Sequence, residues 1–361
     1  ERHGVESEHP ATDTVLDGSS APCIEGEAYV SRLKKIGAGT TTGHRVVVVG
    51  GGPAGLACAH DLAFLGHKVT LLESTGELGG MMRQGIPIYR LPRDLVDREI
   101  QAILDLGVEV QLSAGLDAER TLDSLFTEGA EAVFLASGAG RGRYLEVEGA
   151  HLDGVVRAID FLLNVNEGFQ MDLGRRVVVV GGGNVALDVA RTARLGRTPE
   201  GGSRSKFSEA ASKLFGPNLP HPILWGRTRG STRDVHVVAR QPLGEWPAHR
   251  TVRGVEEMRE SEEEGIVFHP LRGVRRFVGN GNRLEAVELA EVVQLTDAQG
   301  RYRPMYGAHK AETIPCDMAF LAVGQEPDLD YMAGTSDVQR TDGALIHVDP
   351  APLEKSRRGV W

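Results

Sequence analysis

Gly50, Gly52 and Gly55 follow four consecutive valines, Val46 to Val49, at GxGxxG spacing, and an apolar-periodic stretch opens directly behind them with Pro53, Ala54, Leu56, Ala59, Ala63 and Leu65. Glycines so placed provide a tight turn, a close backbone approach to a pyrophosphate, and close packing of helix on strand. The helix N-terminus meanwhile turns free N–H groups and positive dipole toward the phosphates. A second apolar strand then ends in Glu73, an acid roughly twenty residues on, where a carboxylate accepts from ribose hydroxyls. Strand, glycines, helix, strand and acid in that order read as a dinucleotide-binding unit rather than a tight turn alone.

The device recurs at Arg176 to Leu195, RVVVVGGGNVALDVARTARL, with Gly181, Gly183 and Ala186 in the glycine positions and Asn184 and Val185 opening the helix. Two such units imply two nucleotide cofactors. The residues also sort them. A carboxylate at Glu73 suits ribose hydroxyls and repels a 2′-phosphate, whereas the comparable strand of the second unit, Val235 to Ala239, ends in Arg240. An arginine there pairs with a 2′-phosphate, which favours NADPH over NADH, and Ala186 leans the same way.

The elements that must position these loops emerge from the patterning. Residues 1–43 read as a polar arm with one short apolar-periodic piece, Ala28 to Ile36. After Glu73 come a glycine-rich turn, Gly76 to Gly80, and MMRQGIPIYRLP (Met81 to Pro92), a surface loop that ends at the start of a helix. Val96, Ile100, Ile103 and Leu104 share one face of that helix, and strands at Val108 to Gln111 and Ala132 to Ala136 complete a first sheet. An amphipathic helix is expected over Val155 to Leu163, an acidic helix over 251–264, and alternating short strands to about 316 that close the second sheet. Gly196 to Asp234, rich in Gly, Pro and Ser, is a long insertion with a local charge of about +4, contributed by residues from Arg197 to Arg233. It reads either as a solvated loop or as a docking element for an acidic partner.

Composition limits the alternatives. Forty-six glycines, few aromatics and 25% charged residues suit an α/β protein, and a net charge of −10 argues against general affinity for nucleic acid or anionic membrane. The three cysteines, Cys23, Cys58 and Cys316, never form CxxC, which removes a redox-active disulfide and fits a reducing, cytoplasmic setting. His44, His60 and His67 share no metal-ligand spacing, so no metal site is expected. No GxSxG elbow or glycine loop ending in GK[ST] is present.

GGGPAG, LLE, GELGG, GIPIYRLP, FLASGAG, GGGNVALDVARTA and FLAVGQEPDL together resemble the NAD(P)H:flavin module of the glutamate synthase small chain family. Dihydropyrimidine dehydrogenase has a similar module, and adrenodoxin reductase resembles it more distantly. The resemblance, over about 44–361, implies two doubly wound Rossmann-type domains: FAD in a discontinuous first domain (44–152 and 317–361) and NAD(P)H in a second (153–316). By the same resemblance Glu73 would hold the FAD ribose. Gly80, Met81 and Arg90 would meet the flavin nucleotide, Ala136 to Gly138 would lie along it, and Gly324 would lead the chain back to it. The flavin would take hydride from NAD(P)H and pass electrons to an iron–sulfur carrier or a larger redox complex. The pattern departs at two places: Cys23 stands alone where the family groups cysteines, and no Gly-Asp motif follows Leu353 to Trp361, which together imply a piece of a longer chain. Rival readings are a non-catalytic nucleotide-binding remnant and a flavin oxidase or monooxygenase.

Overall fold

The four valines Val46 to Val49 lie in a strand covered on both faces, the setting in which an unbroken β-branched run is favoured. A computed structural model describes residues 41–169, 171–195, 233–297, 299–307, 311–332, 338–341, 345–348 and 359–361. Nearly all of the expected arm 1–43, its piece Ala28 to Ile36, and the insertion 196–234 apart from Arg233 and Asp234 lie outside those residues.

The first unit runs β1 (Arg45–Val49), α1 (Pro53–Phe64), β2 (Lys68–Leu72), a short α2 (Met81–Gln84), α3 (Arg93–Leu104), β3 (Glu109–Gln111), α4 (Leu122–Thr127) and β4 (Ala132–Leu135). Its strands are parallel in the order β3-β2-β1-β4. On one face of the sheet Leu56, Ala59 and Ala63 of α1 and Val96 and Ile100 of α3 pack against Val48, Val69 and Leu71. Pro92 stands immediately before α3, where its missing N–H costs nothing.

After β5 (Arg141–Gly142) the second unit begins with β6 (Val155–Arg157), α5 (Ala158–Asn166), β7 (Arg176–Val180), α6 (Asn184–Leu195) and β8 (Asp234–Val238). Two 3₁₀ turns, α7 (Val252–Glu263) and β9 (Val267–His269) come next. Then come β10 (Arg272–Asn280), β11 (Arg283–Thr296), β12 (Tyr302–Tyr306), β13 (Glu312–Pro315), β14 (Met318–Leu321) and β15 (Gln325–Glu326). The parallel sheet has the order β6-β14-β7-β8-β9, so β9-β8-β7-β14 repeats the arrangement of the first unit.

Two expectations need correction. Val155 to Arg157 form an edge strand paired to β14, and the helix starts only at Ala158, because the β-branched pair Val155 and Val156 finds a sheet edge. The strands after β9 do not close the second sheet. β10 to β13 form their own antiparallel sheet around the 14-residue β11, and it packs on the parallel sheet through Val274, Phe277, Leu284, Val287 and Leu289 against Val178, Val180 and Leu321.

The chain passes between the units twice, and the two crossings pair as an antiparallel ribbon: Gln325 with Gly142 and Glu326 with Arg141. Beyond it Leu329 and Met332 enter the core of the first unit, Tyr331 donates to Ser137 Oγ at 2.9 Å, and Val360 bridges Val133 of β4. Among the described residues, no helix is long and apolar enough to cross a membrane.

The third glycine positions differ in a measurable way. A β-carbon on Gly55 would lie 1.8 Å from the Gly50 carbonyl oxygen, while Ala186 already holds its methyl in a fully buried place. Gly55→Ala should therefore cost about 1–3 kcal/mol or more through overpacking. Ala186→Gly should cost only about 1 kcal/mol of helix propensity plus the lost methyl contacts. Urea unfolding of the two variants measures the contrast.

Candidate functional site

Both glycine loops leave the carboxyl end of a central strand where the neighbouring connections run to opposite sides, the crevice in which open α/β sheets bind ligands. Gly50 has φ +110 and Gly181 φ +140, and a β-carbon on either would lie 2.3 or 2.2 Å from the carbonyl oxygen of Ala136 or Ala322 respectively. Each loop therefore turns under the strand next to it. Gly52 is different: a β-carbon there would meet only Gly80 Cα, at 3.8 Å, so the space beside it is open apart from that backbone. It caps α1, which has Pro53 in its first turn, no side-chain cap and no acid in that turn, so no side chain competes for its first N–H groups.

Glu73 is 6% exposed and pins the loop. Its Oε2 accepts from Gly51 N at 2.8 Å, and Oε1 accepts from Thr75 N at 2.8 Å, Thr75 Oγ1 at 2.9 Å and Ser74 Oγ at 3.2 Å. Gly79 N donates to Gly51 O at 2.8 Å, which lays the Gly79–Gly80 turn across the glycine loop and brings Met81 to the start of α2. Arg93 braces α2 and the turn behind it, donating to the carbonyls of Met82 and Ile86. Gly138, at φ +71, has open space where a β-carbon would stand.

In the second unit a cleft of about 580 Å³ is lined by Gly181, Gly183, Asn184, Val185, Arg240 and Gly324, so six expected residues from three separate segments share one wall. Ala186 lies behind that wall, fully buried. Trp246 packs beneath Gly182: the buried indole lies where a β-carbon on Gly182 would come within 2.9 Å, and its Nε1 donates to Gln241 O. The sequence gives Trp246 no periodic signal, because it sits between two 3₁₀ turns. His249, in the second of these turns, is exposed.

Arg90, expected at a flavin nucleotide, spends its charge elsewhere. Its Nη2 lies 2.7 Å from Asp188 Oδ1 on α6 and also pairs with Glu257 on α7, both buried. The neighbouring Tyr89 ring stacks under Arg191 at 5.6 Å, and Arg191, 1% exposed, pairs with Glu260 and Glu264. The loop of the first unit is thus held by a buried charge cluster on the second. Burial, reinforced by Glu257, pushes Asp188 up to about 7 against the opposing pull of Arg90. An available sequence signal is a charged i, i+3 pair, Asp188 and Arg191, set among Val185, Ala186, Leu187, Val189 and Ala190. Arg233, counted within the basic insertion, is also buried and donates to the carbonyls of Gly174 and Ala193, so its charge is not displayed to a partner.

Two Rossmann units with glycine loops at equivalent switch points, the second bearing a cleft that ends at a cationic strand terminus, define an oxidoreductase of the two-dinucleotide-fold class. The chain belongs to the pyridine nucleotide-disulphide oxidoreductase family, whose profile matches residues 44–361, and within it to the glutamate synthase small chain-like group. It is 30% identical to a putative glutamate synthase [NADPH] small chain of Cereibacter sphaeroides, over 88% of this chain and 69% of that protein. It is 33% identical to the NADP(+)-dependent formate dehydrogenase subunit beta of Moorella thermoacetica, over 89% of this chain but 40% of that protein. The chain thus spans about two fifths of the length of that longer relative. Mycobacterium tuberculosis FprA in complex with NADPH shares the fold, with a TM-score of 0.62 at 20% identity over 83% of this chain and 74% of that one. The family resemblance read from the motifs is borne out, as is the α/β fold class.

This geometry has two measurable outcomes. Gly52→Val should lose bound flavin while keeping its thermal midpoint, since the added β-carbon makes only an ordinary contact with Gly80 Cα at 3.8 Å; absorbance at 450 nm per protein, before and after reconstitution with FAD, measures this. Asp188 has a folded pKa above its unfolded value of 3.8, so its protonated form stabilises the fold at low pH and that stability is lost as pH rises through about 7. The thermal midpoint of Asp188→Asn relative to the native chain should therefore rise between pH 5 and pH 8.

Proposed function

We propose that the protein is a flavin-dependent oxidoreductase unit that takes reducing equivalents from NADPH and delivers them to a partner within a larger redox assembly. The observation that carries this reading is the pair of glycine loops at matching switch points, only the second of which opens toward an arginine, Arg240. When bound, the nicotinamide and the flavin together supply hydride transfer followed by release of electrons singly or in pairs.

The residues fit those groups. On the first unit Gly50, Gly52, Pro53, Ala54 and Gly55 offer the uncapped first turn of α1 to a pyrophosphate. Glu73 Oε2 accepts one backbone bond and retains a lone pair for a ribose hydroxyl. Gly80 and Ala136 lie against the same loop, with Met81 and Gly138 close to them in the chain, and Gly324 lies in the wall of the second cleft on the return path to the first unit. On the second unit Gly181, Gly183, Asn184, Val185 and Ala186 form the corresponding helix start, with Arg240 at the end of β8 for a 2′-phosphate. No acid or base is assigned, because stacking of two rings and exclusion of water is the protein's task.

The partner is an iron–sulfur carrier or a subunit of a larger complex. The printed name of the Moorella relative describes a subunit of a formate dehydrogenase, and the glutamate synthase small chain is likewise part of a larger enzyme by name, which supports a delivery role. A cytoplasmic site is consistent with three cysteines spaced far apart.

Anaerobic titration of the FAD-reconstituted chain with NADPH and with NADH tests the reading: bleaching of the flavin at lower NADPH than NADH is expected, and failure of either coenzyme to bleach it would refute it. Arg240→Ala should remove a charge-assisted contact of about 1.5–3 kcal/mol, weakening NADPH about ten- to a hundred-fold while leaving NADH nearly unchanged. Equal losses for both coenzymes would make Arg240 structural.

A further inference from the structure

A phosphomonoester near neutral pH carries between one and two negative charges and three acceptor oxygens, more than one guanidinium neutralises. Arg240 is therefore half of a site for such a group, and the antiparallel sheet supplies a candidate for the other half. Arg272, the first residue of β10, lines the same cleft as Gly181 to Val185 and Arg240, with Tyr306 of β12 beside it. Its place there is enforced by the backbone. Leu271 N donates to Gln241 O at 3.2 Å and Arg272 N donates to Ala239 O at 3.0 Å, so the turn before β10 is zipped onto the two residues flanking Arg240. Val292 N closes on Leu271 O at 2.9 Å from the other side.

That clamp holds Leu271 at φ +54, one of two non-glycine residues with positive φ among those described. A leucine adopts this conformation at a cost, and it persists only where the surroundings fix it. Its effect here is to deliver the Arg272 side chain to the end of β8. Glu312 takes the Arg272 Nε at 3.1 Å and the Leu271 carbonyl takes Nη1, which orients the guanidinium; among the described residues Nη2 has no further partner. Arg240 is steadied separately, its guanidinium lying 5.3 Å from the ring centroid of Tyr302 on β12.

We propose that Arg272 is a second specificity-determining residue for the 2′-phosphate of the coenzyme, acting with the Tyr302-stacked Arg240 that lines the same cleft. The proposal rests on the NADPH reading above and deepens it: the antiparallel sheet, an addition to the dinucleotide fold, is the part that reads the phosphate.

The test is calorimetric titration of the full chain with 2′,5′-ADP and with 5′-AMP, fragments that differ only in the 2′-phosphate and need no flavin. Arg272→Ala should weaken 2′,5′-ADP about ten-fold and leave 5′-AMP within about two-fold, the latter serving also as the check that the variant is folded. Unchanged binding of 2′,5′-ADP, or equal weakening of both fragments, overturns the role of Arg272. If Arg240→Ala abolishes the preference and Arg272→Ala keeps it, the NADPH reading stands and this inference alone falls. If the native chain binds the two fragments equally, the NADPH reading falls and the inference with it.

Discussion

Close approach of backbone to backbone at Gly50 and Gly181 is the constraint on which the arrangement depends. At each, the missing β-carbon lets the loop pass within van der Waals range of a carbonyl on the adjacent strand, Ala136 in the first unit and Ala322 in the second. A side chain at either place would lift the loop from its sheet and swing the following helix away from the crevice. The N-terminus of α1 or α6 would then point elsewhere, and the favourable end of its dipole with it. Glu73 adds a second restraint in the first unit only, through its bond to Gly51 N. The second unit holds its loop from beneath with Trp246 and through the bond from Ala248 N to Gly182 O.

The glycine loops, the strand runs and Arg240 were legible because each is a local signal: period, spacing, or a residue at a strand end. Gly181, Gly183, Asn184, Val185 and Arg240, named on that basis, meet along one cleft, where Gly324, named from the family resemblance, joins them. The illegible features came from residues far apart in sequence. Arg90 carries no local mark of its pairing with Glu257, 167 positions away, and reads as a loop arginine until the units are placed side by side. Val155 and Val156 carry apolar residues that suit a helix or a strand, and only the free edge of β14 decides between them. The separate antiparallel sheet was misread for the same reason, since a strand's pattern does not say which sheet it joins. Arg272 became visible only through the hydrogen bonds that dock its turn on β8.

The two units also solve one problem with different tolerances. In the first, α1 crosses so near its loop that Gly55 has no room for a methyl; in the second, α6 carries Ala186 and buries an aspartate and an arginine on the same helix. The charges that α6 shelters are those that meet the first unit's loop at Tyr89 and Arg90. The Arg191 charge is offset by Glu260 and Glu264, whereas burial favours the neutral form of Asp188 against the pull of Arg90, and removal of one partner would leave another uncompensated.

The ribbon of β5 and β15 joins the units by two covalent crossings that are hydrogen-bonded to each other. A single linker would act as a swivel, free to turn about its own axis, but a paired ribbon resists twist and bends most easily out of its plane. The relative motion open to the units is accordingly closer to that of a strap hinge than a ball joint. Opening on that hinge would separate Arg90 from Asp188 and Glu257, so the motion is coupled to the ion pairs at that socket.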